Sequence, residues 1–196
     1  MAGRIVILSS GYDPERGKQV KDPYLGDIPS FGACRPDVRK AVQLGDRLFF
    51  ISGKLRGGPP QYLMGAFEVK RKITALDAYH TYPERRLKKT DGALDGNIMV
   101  DELGHQHPLD THSGLDRRVQ NYIVGSNLIA PTSAEEIARC RQETLPILQD
   151  VFDSDGASPF KIIGRGCRKL DDRQSEMLTA WLRDITAHSA LGRRAG

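Results

Sequence analysis

The stretch Pro29-Ser-Phe-Gly-Ala-Cys-Arg-Pro-Asp-Val-Arg-Lys-Ala-Val-Gln-Leu-Gly-Asp-Arg-Leu-Phe-Phe-Ile-Ser52 carries most of the fold information. Its first half predicts a short helix over Arg35–Val42. Pro36 suits the first helical turn, where a missing N–H costs nothing, and Asp37 favours the positive end of the helix dipole while Lys40 comes late. Gly45-Asp46 then predicts a turn. Arg47–Ser52, with Leu48, Phe49, Phe50 and Ile51, predicts a buried strand closed by Gly53.

Outward from this core the pattern repeats in short pieces. Arg4–Leu8 is a β-rich apolar run stopped by Ser9-Ser10-Gly11 and reads as the first strand. A polar loop follows from Tyr12 to Ser30. A second loop, Lys54–Gln61, holds Gly57-Gly58-Pro59-Pro60. Tyr62–Val69 predicts a strand that continues through Lys70–Thr74, and Thr74–Tyr82 a helix ending before Pro83. Residues 84–95 are charged and polar with no element expected. Gly96–Val100 predicts a weak strand, Asp101–Asp116 a loop and Val119–Gly125 a strand. Ser133 before Ala134-Glu135-Glu136 is a good helix N-cap, and Pro146 is expected to bend or end the helix near Leu148. Phe160–Gly166 predicts a strand running into a glycine turn. Asp171 or Asp172 is expected to cap a last helix over Gln174–Ala187, with Met177, Leu178, Trp181, Leu182 and Ile185 on its core face. Gly192–Gly196 reads as a frayed basic tail. Five or six short strands and three or four helices, without regular βαβ alternation, predict an α+β fold: a small, partly open β-barrel with flanking helices. One domain over 1–196 is expected, with the C-terminal helix (about 172–190) packed on it.

Composition narrows the function. The chain has 196 residues with 39% hydrophobic and 28% charged content, as expected for a soluble globular protein. No apolar run approaches the roughly 18 residues of a membrane span, and the N-terminus has no signal-peptide layout. Three cysteines with no CxxC spacing argue against a secreted disulfide scaffold and a zinc ribbon, so a cytoplasmic location is expected, with no metal, no cofactor and no membrane partner. Charge is uneven. Residues 1–100 hold 17 Lys and Arg against 11 Asp and Glu; residues 101–196 hold 12 against 14. A basic half tolerates phosphates.

Gly45-Asp46 before Phe49-Phe50, with Gly65-Ala66-Phe67-Glu68-Val69 later, resembles the PUA-like superfold, which includes the EVE, YTH and ASCH domains that read RNA or modified bases. Ile5–Leu8 ending in Ser9-Ser10 looks like the start of those domains. Pro29–Ser52 is similar to the nucleotide-modification-associated domain families, where a Cys-basic-Pro helix leads into Gly-Asp and a strand. Asn121–Ser126 looks like a late strand of the same families. The resemblance covers about Arg4–Gly125. It implies recognition of DNA or RNA, with a base held in a pocket at the barrel mouth. It departs from the YTH pattern in its aromatic residues: the single tryptophan is Trp181, so no tryptophan cage is implied.

Such a site needs flat surfaces for a base and cationic or N–H groups for phosphates. Ser9, Ser10 and Tyr12 after the first strand, Phe31 and Arg35 before the helix, Arg39 and Lys40 on it, and Lys54 after the second strand are the candidates. The basic clusters Lys70-Arg71-Lys72 and Arg85-Arg86-Leu87-Lys88-Lys89 are further backbone contacts or solvated surface. An alternative is an enzyme acting on a nucleotide or nucleic acid. His105, His107 and His112 lie within eight residues, and with Asp101 or Asp110 they offer acid–base groups. Gly164-Arg165-Gly166-Cys167-Arg168 lacks the Walker lysine and reads as a tight bend. Cys34 reads as a small packed residue.

Overall fold

The computed structural model describes residues 2–18 and 21–192. Most of the expected C-terminal tail, from residue 193, lies outside them. The fold is α+β: a mixed six-stranded sheet, a two-stranded sheet and six α-helices among the described residues. The strands are β1 (Gly3–Ile7), β2 (Ser30–Phe31), β3 (Arg47–Ile51), β4 (Leu63–Ile73), β5 (Lys88–Thr90), β6 (Ala93–Asp95), β7 (Tyr122–Ile129) and β8 (Cys167–Leu170). The helices are α1 (Pro36–Ala41), α2 (Ala75–Thr81), α3 (Leu115–Arg118), α4 (Ala134–Phe152), α5 (Pro159–Ile163) and α6 (Asp172–Gly192). The large sheet runs β2-β7-β4-β3-β1-β8, open at β2 and β8, and no closed barrel forms among the described residues. No described helix is long and apolar enough to cross a membrane.

Two compact units divide the chain: Met1–Gln19, Gly45–Glu68 and Asn127–Gly196 form one, Val20–Leu44 and Val69–Ser126 the other. In the first, β1 and β3 are parallel neighbours in the register Gly3↔Arg47 to Ile7↔Ile51, β4 runs antiparallel to β3, and β8 antiparallel to β1. Gly45 enters β3 from a positive φ of 85°, which glycine adopts without strain. Ile5, Val6, Leu48, Phe49, Phe50 and Phe67 are buried, with the rings of Phe50 and Phe67 5.4 Å apart. The α4 and α6 helices pack on each other. Leu178, Leu182 and Ile185 are buried as expected, while Met177 and Trp181 are half-buried. The Thr144 hydroxyl accepts the Leu63 N–H at 2.9 Å and so ties α4 to β4.

Two expectations fail in this unit. Pro146 does not end α4, which continues to Phe152. Cys140, Thr144, Leu148 and Val151 form one buried stripe at helical spacing on both sides of the proline, and this packing outweighs one lost hydrogen bond. Phe160–Ile163 is helical rather than extended. The Ser158 hydroxyl accepts the Lys161 N–H, and Pro159 occupies the first helical position, so the start signals override the β-branched isoleucines. The strand lies further on, at Cys167–Leu170.

The second unit has a core of Ala75, Ala78, Ile98, Val100, Tyr122 and Val124. A capping box between Thr74 and Asp77 starts α2. Residues 84–95 are not featureless: β5 and β6 form a hairpin across Asp91-Gly92, both with positive φ. Gly96–Val100 is not a strand; only isolated bridges, Arg86↔Ile98 and Val100↔Gln106, occur there.

Candidate nucleic-acid interface

Because β1 and β3 are parallel, the segments that follow them leave the same end of the sheet, where open sheets commonly place ligands. Backbone hydrogen bonds lace the two segments together. The Leu8 N–H donates to Ile51 O at 3.0 Å, Gly11 N–H to Lys54 O at 3.0 Å, and Gly53 N–H to Tyr12 O at 2.6 Å. The Ser10 hydroxyl also donates to Lys54 O, at 3.0 Å. A Cβ at Gly53 would collide with the Ser9 carbonyl oxygen, so only glycine permits this approach. Ser9, Ser10, Tyr12 and Lys54, four of the eight candidates named from sequence, therefore stand together. All four are exposed, as are Arg16, Lys18 and Arg56 on the same two loops.

The base of these loops is rigidly held. Asp13 is 1% exposed and accepts the N–H groups of Glu15 at 3.0 Å and Arg16 at 3.3 Å. Its carboxylate also takes a bidentate pair from Arg141 on α4, at 3.0 and 2.9 Å. Arg141 donates to Pro60 O at 2.8 Å and lies 4.3 Å over the Tyr62 ring. Burial pushes the Tyr62 phenol above its usual range. Asp13 is thus neutralised within the fold, and the exposed charge of the loops is mainly cationic: Arg16, Lys18, Lys54 and Arg56 against Glu15. Lysine and arginine bind phosphates, and an exposed tyrosine offers a stacking face. Arg16, Lys18, Asp13 and Arg141 were not singled out from sequence. Asp13-Pro14 turn chemistry marks the first pair weakly, and nothing local marks Arg141.

The remaining candidates, Phe31, Arg35, Arg39 and Lys40, belong to the second unit. Phe31 was expected on a flexible loop, but it is in β2, paired with Ile123, and 0% exposed. It offers no stacking face. Arg39 was expected to meet phosphates, but it too is 0% exposed. Its guanidinium donates to the carbonyls of Cys34, Arg118, Gln120 and Asn121 at 2.9, 3.1, 3.0 and 3.0 Å. A helical residue facing inward cannot be told from an outward one by charge alone. Arg35 sits at positive φ and holds Asp37 in a bidentate pair, at 3.0 and 2.7 Å; this keeps the Asp37 carboxyl below its usual range. Lys40 is exposed, and its carbonyl accepts the Lys72 ammonium at 3.1 Å. Arg86 of the second basic cluster lies 3.9 Å over the Tyr79 ring.

The histidine loop does not converge on one point. His105 is exposed and 3.7 Å from Asp101. His107 Nδ1 accepts the Leu109 N–H at 3.1 Å. His112 Nδ1 lies 2.6 Å from Asp110 Oδ1, and Gln106 donates to the other oxygen of Asp110 at 2.8 Å. No group of three or more His, Cys, Asp or Glu able to hold a metal occurs among the described residues. Cys34 is half-buried; burial first, and then the nearby Asp22 charge, push its thiol up to about 12. Gly164 and Gly166 both have positive φ, and the Ile7 N–H donates to Gly166 O, so this stretch is the expected bend.

Compared with known proteins, the chain matches no family model, no curated protein and no solved structure.

Proposed function

We propose that this chain is a PUA-like nucleic-acid recognition module that holds a single-stranded segment, plain or modified, on the loops after β1 and β3. Lys18, Lys54, Arg16 and Arg56 take the phosphates, and Tyr12 stacks a base. Support comes from one observation above the rest: Tyr12 is an exposed ring whose own carbonyl is hydrogen-bonded to Gly53, next to Lys54. The stacking face and the cation are therefore held in fixed register before any ligand arrives. Stacking on an aromatic side chain contributes about 1–3 kcal/mol per base. The three cysteines are free thiols, which fits work in a reducing cytoplasm.

The test is fluorescence anisotropy with labelled oligonucleotides, single- and double-stranded, with and without modified bases. Binding to single strands is expected to fall as salt rises, with a log–log slope near −0.7 for each phosphate contacted. An affinity indifferent to salt would exclude phosphate capture.

A second reading is favoured by the Asp110–His112 pair. A carboxylate holding Nδ1 orients an imidazole for proton transfer through its other nitrogen, as in acid–base hydrolysis of a phosphodiester. Loss of turnover in His112→Ala with oligonucleotide binding intact supports that reading; no turnover in the parent protein removes it.

A further inference from the structure

The second unit contains a cavity of about 390 Å³ bordered by Lys21, Tyr24, Glu84, Arg85, Lys88 and Asp95, a volume in the range that holds small organic ligands. Its walls are charged with both signs, and the charges are placed unequally. Arg85 is 9% exposed. Its guanidinium carbon lies over the Tyr24 ring, 3.3 Å from the centroid, and the group donates to Asp27 at 3.0 Å. Its Nε makes no hydrogen bond, since Glu84 is 3.9 Å away. The wall therefore contains a buried cation with incomplete hydrogen bonding. On the opposite charge, Asp95 contacts the Lys21 ammonium at 3.4 Å. Burial alone would raise the Asp95 carboxyl, yet the Gly96 N–H, Lys21 and Lys88 hold it below its usual range, and Lys88 stands opposite Asp95 in the β5–β6 register.

Three cations, two carboxylates and an aromatic ring around one cavity do not suit a bare inorganic anion, which the carboxylates would repel. They suit a molecule that is anionic at one end and a hydrogen-bond donor elsewhere. We propose that this cavity binds a nucleoside monophosphate, with the phosphate at Lys21 and Lys88 and the sugar hydroxyls donating to Glu84 and Asp95. The Arg85–Tyr24 stack forms the flat wall beside it. Lys21 and Tyr24 lie further along the segment that follows β1, but the site uses none of the residues assigned to the polymer and does not rest on that reading.

Isothermal titration calorimetry on the intact protein tests it with the four ribonucleoside 5′-monophosphates, the parent nucleosides and inorganic phosphate. At least one monophosphate is expected to bind tenfold or more tightly than both its nucleoside and inorganic phosphate. Lys88→Ala, at an exposed position on β5, is expected to weaken it at least fivefold, and Lys21→Ala at least as much. Tyr12→Ala is expected to leave it unchanged. The proposal is overturned if no monophosphate outranks both comparison ligands. It is equally overturned if the two lysine variants bind like the parent, or if Tyr12→Ala abolishes the binding.

Discussion

Both terminal nitrogens of Arg141 donate to the carboxylate of Asp13, at 3.0 and 2.9 Å, although 128 positions separate the two residues. The bond joins the loop after β1 to α4 and fixes the platform on which Tyr12 and Lys18 are displayed. Removing one partner of a buried pair leaves the other charge unmatched, at a cost of about 3–5 kcal/mol. Arg141→Met is therefore expected to destabilise the protein on that scale in urea melts. It should also weaken oligonucleotide binding, although Arg141 itself is not among the phosphate contacts. The double variant Asp13→Asn with Arg141→Met should cost clearly less than the two single costs added together.

Arg39 predicts a second stability effect with a different signature. Four carbonyls converge on one guanidinium. Arg39→Ala should cost about 3 kcal/mol or more, because it leaves those buried acceptors unpaired. Arg39→Lys should recover little of this, since a lysine ammonium cannot reproduce the planar fork. A lysine variant as stable as the parent would contradict the assignment.

These two arginines also show where sequence reading stops. The helix containing Arg39 was legible from Pro36, Asp37 and Gly45, and so was the strand after it. The direction of the Arg39 side chain was not, because its partners at 118–121 are remote in sequence. The N-cap at Ser133 was legible for the same local reason, and the structure completes it as a capping box: the Ser133 hydroxyl accepts the Glu136 N–H at 3.1 Å. The β5–β6 hairpin had a local signal, Asp91-Gly92, outweighed by its charged flanks. By contrast β8, Cys-Arg-Lys-Leu, is an edge strand without apolar alternation and is defined by its pairing with β1. In the candidate site, the grouping of Ser9, Ser10, Tyr12 and Lys54 was legible because they follow strong strands. Arg16 and Lys18 lay in a stretch whose only visible feature was its polarity.

The thiols give a third prediction. Burial pushes Cys34 and Cys140 up to about 12, so at pH 8 the thiolate is about one part in ten thousand of each. A disulfide-exchange reagent at pH 8 should label both only after denaturant is added, and Cys34→Ser should leave oligonucleotide binding unchanged. Fast labelling of either thiol in the folded protein would contradict their burial.

Acid should act on α2 through its cap. Hydrogen bonds from the Thr74 hydroxyl and backbone N–H hold the Asp77 carboxyl below its usual value. A carboxyl depressed in the folded state adds stability above its unfolded pKa of about 4, and that stability is lost as pH falls through the lower folded value. Thermal melts between pH 7 and pH 2.5 should therefore converge for the parent and Asp77→Ala at the acid end and separate at neutral pH. A difference between the two that does not change with pH would rule out the ionised cap.

The measurement closest to the central claim is the salt dependence of single-stranded oligonucleotide binding in the parent, Tyr12→Ala and Lys18→Ala/Lys54→Ala proteins. The double lysine variant should bind more weakly and show a log–log salt slope about 1.4 less steep, from two lost phosphate contacts. Tyr12→Ala should lose about 1–3 kcal/mol of affinity with the slope unchanged, because stacking releases no counterions. Parent-like affinity and slope in both variants would contradict a nucleic-acid interface on the loops after β1 and β3.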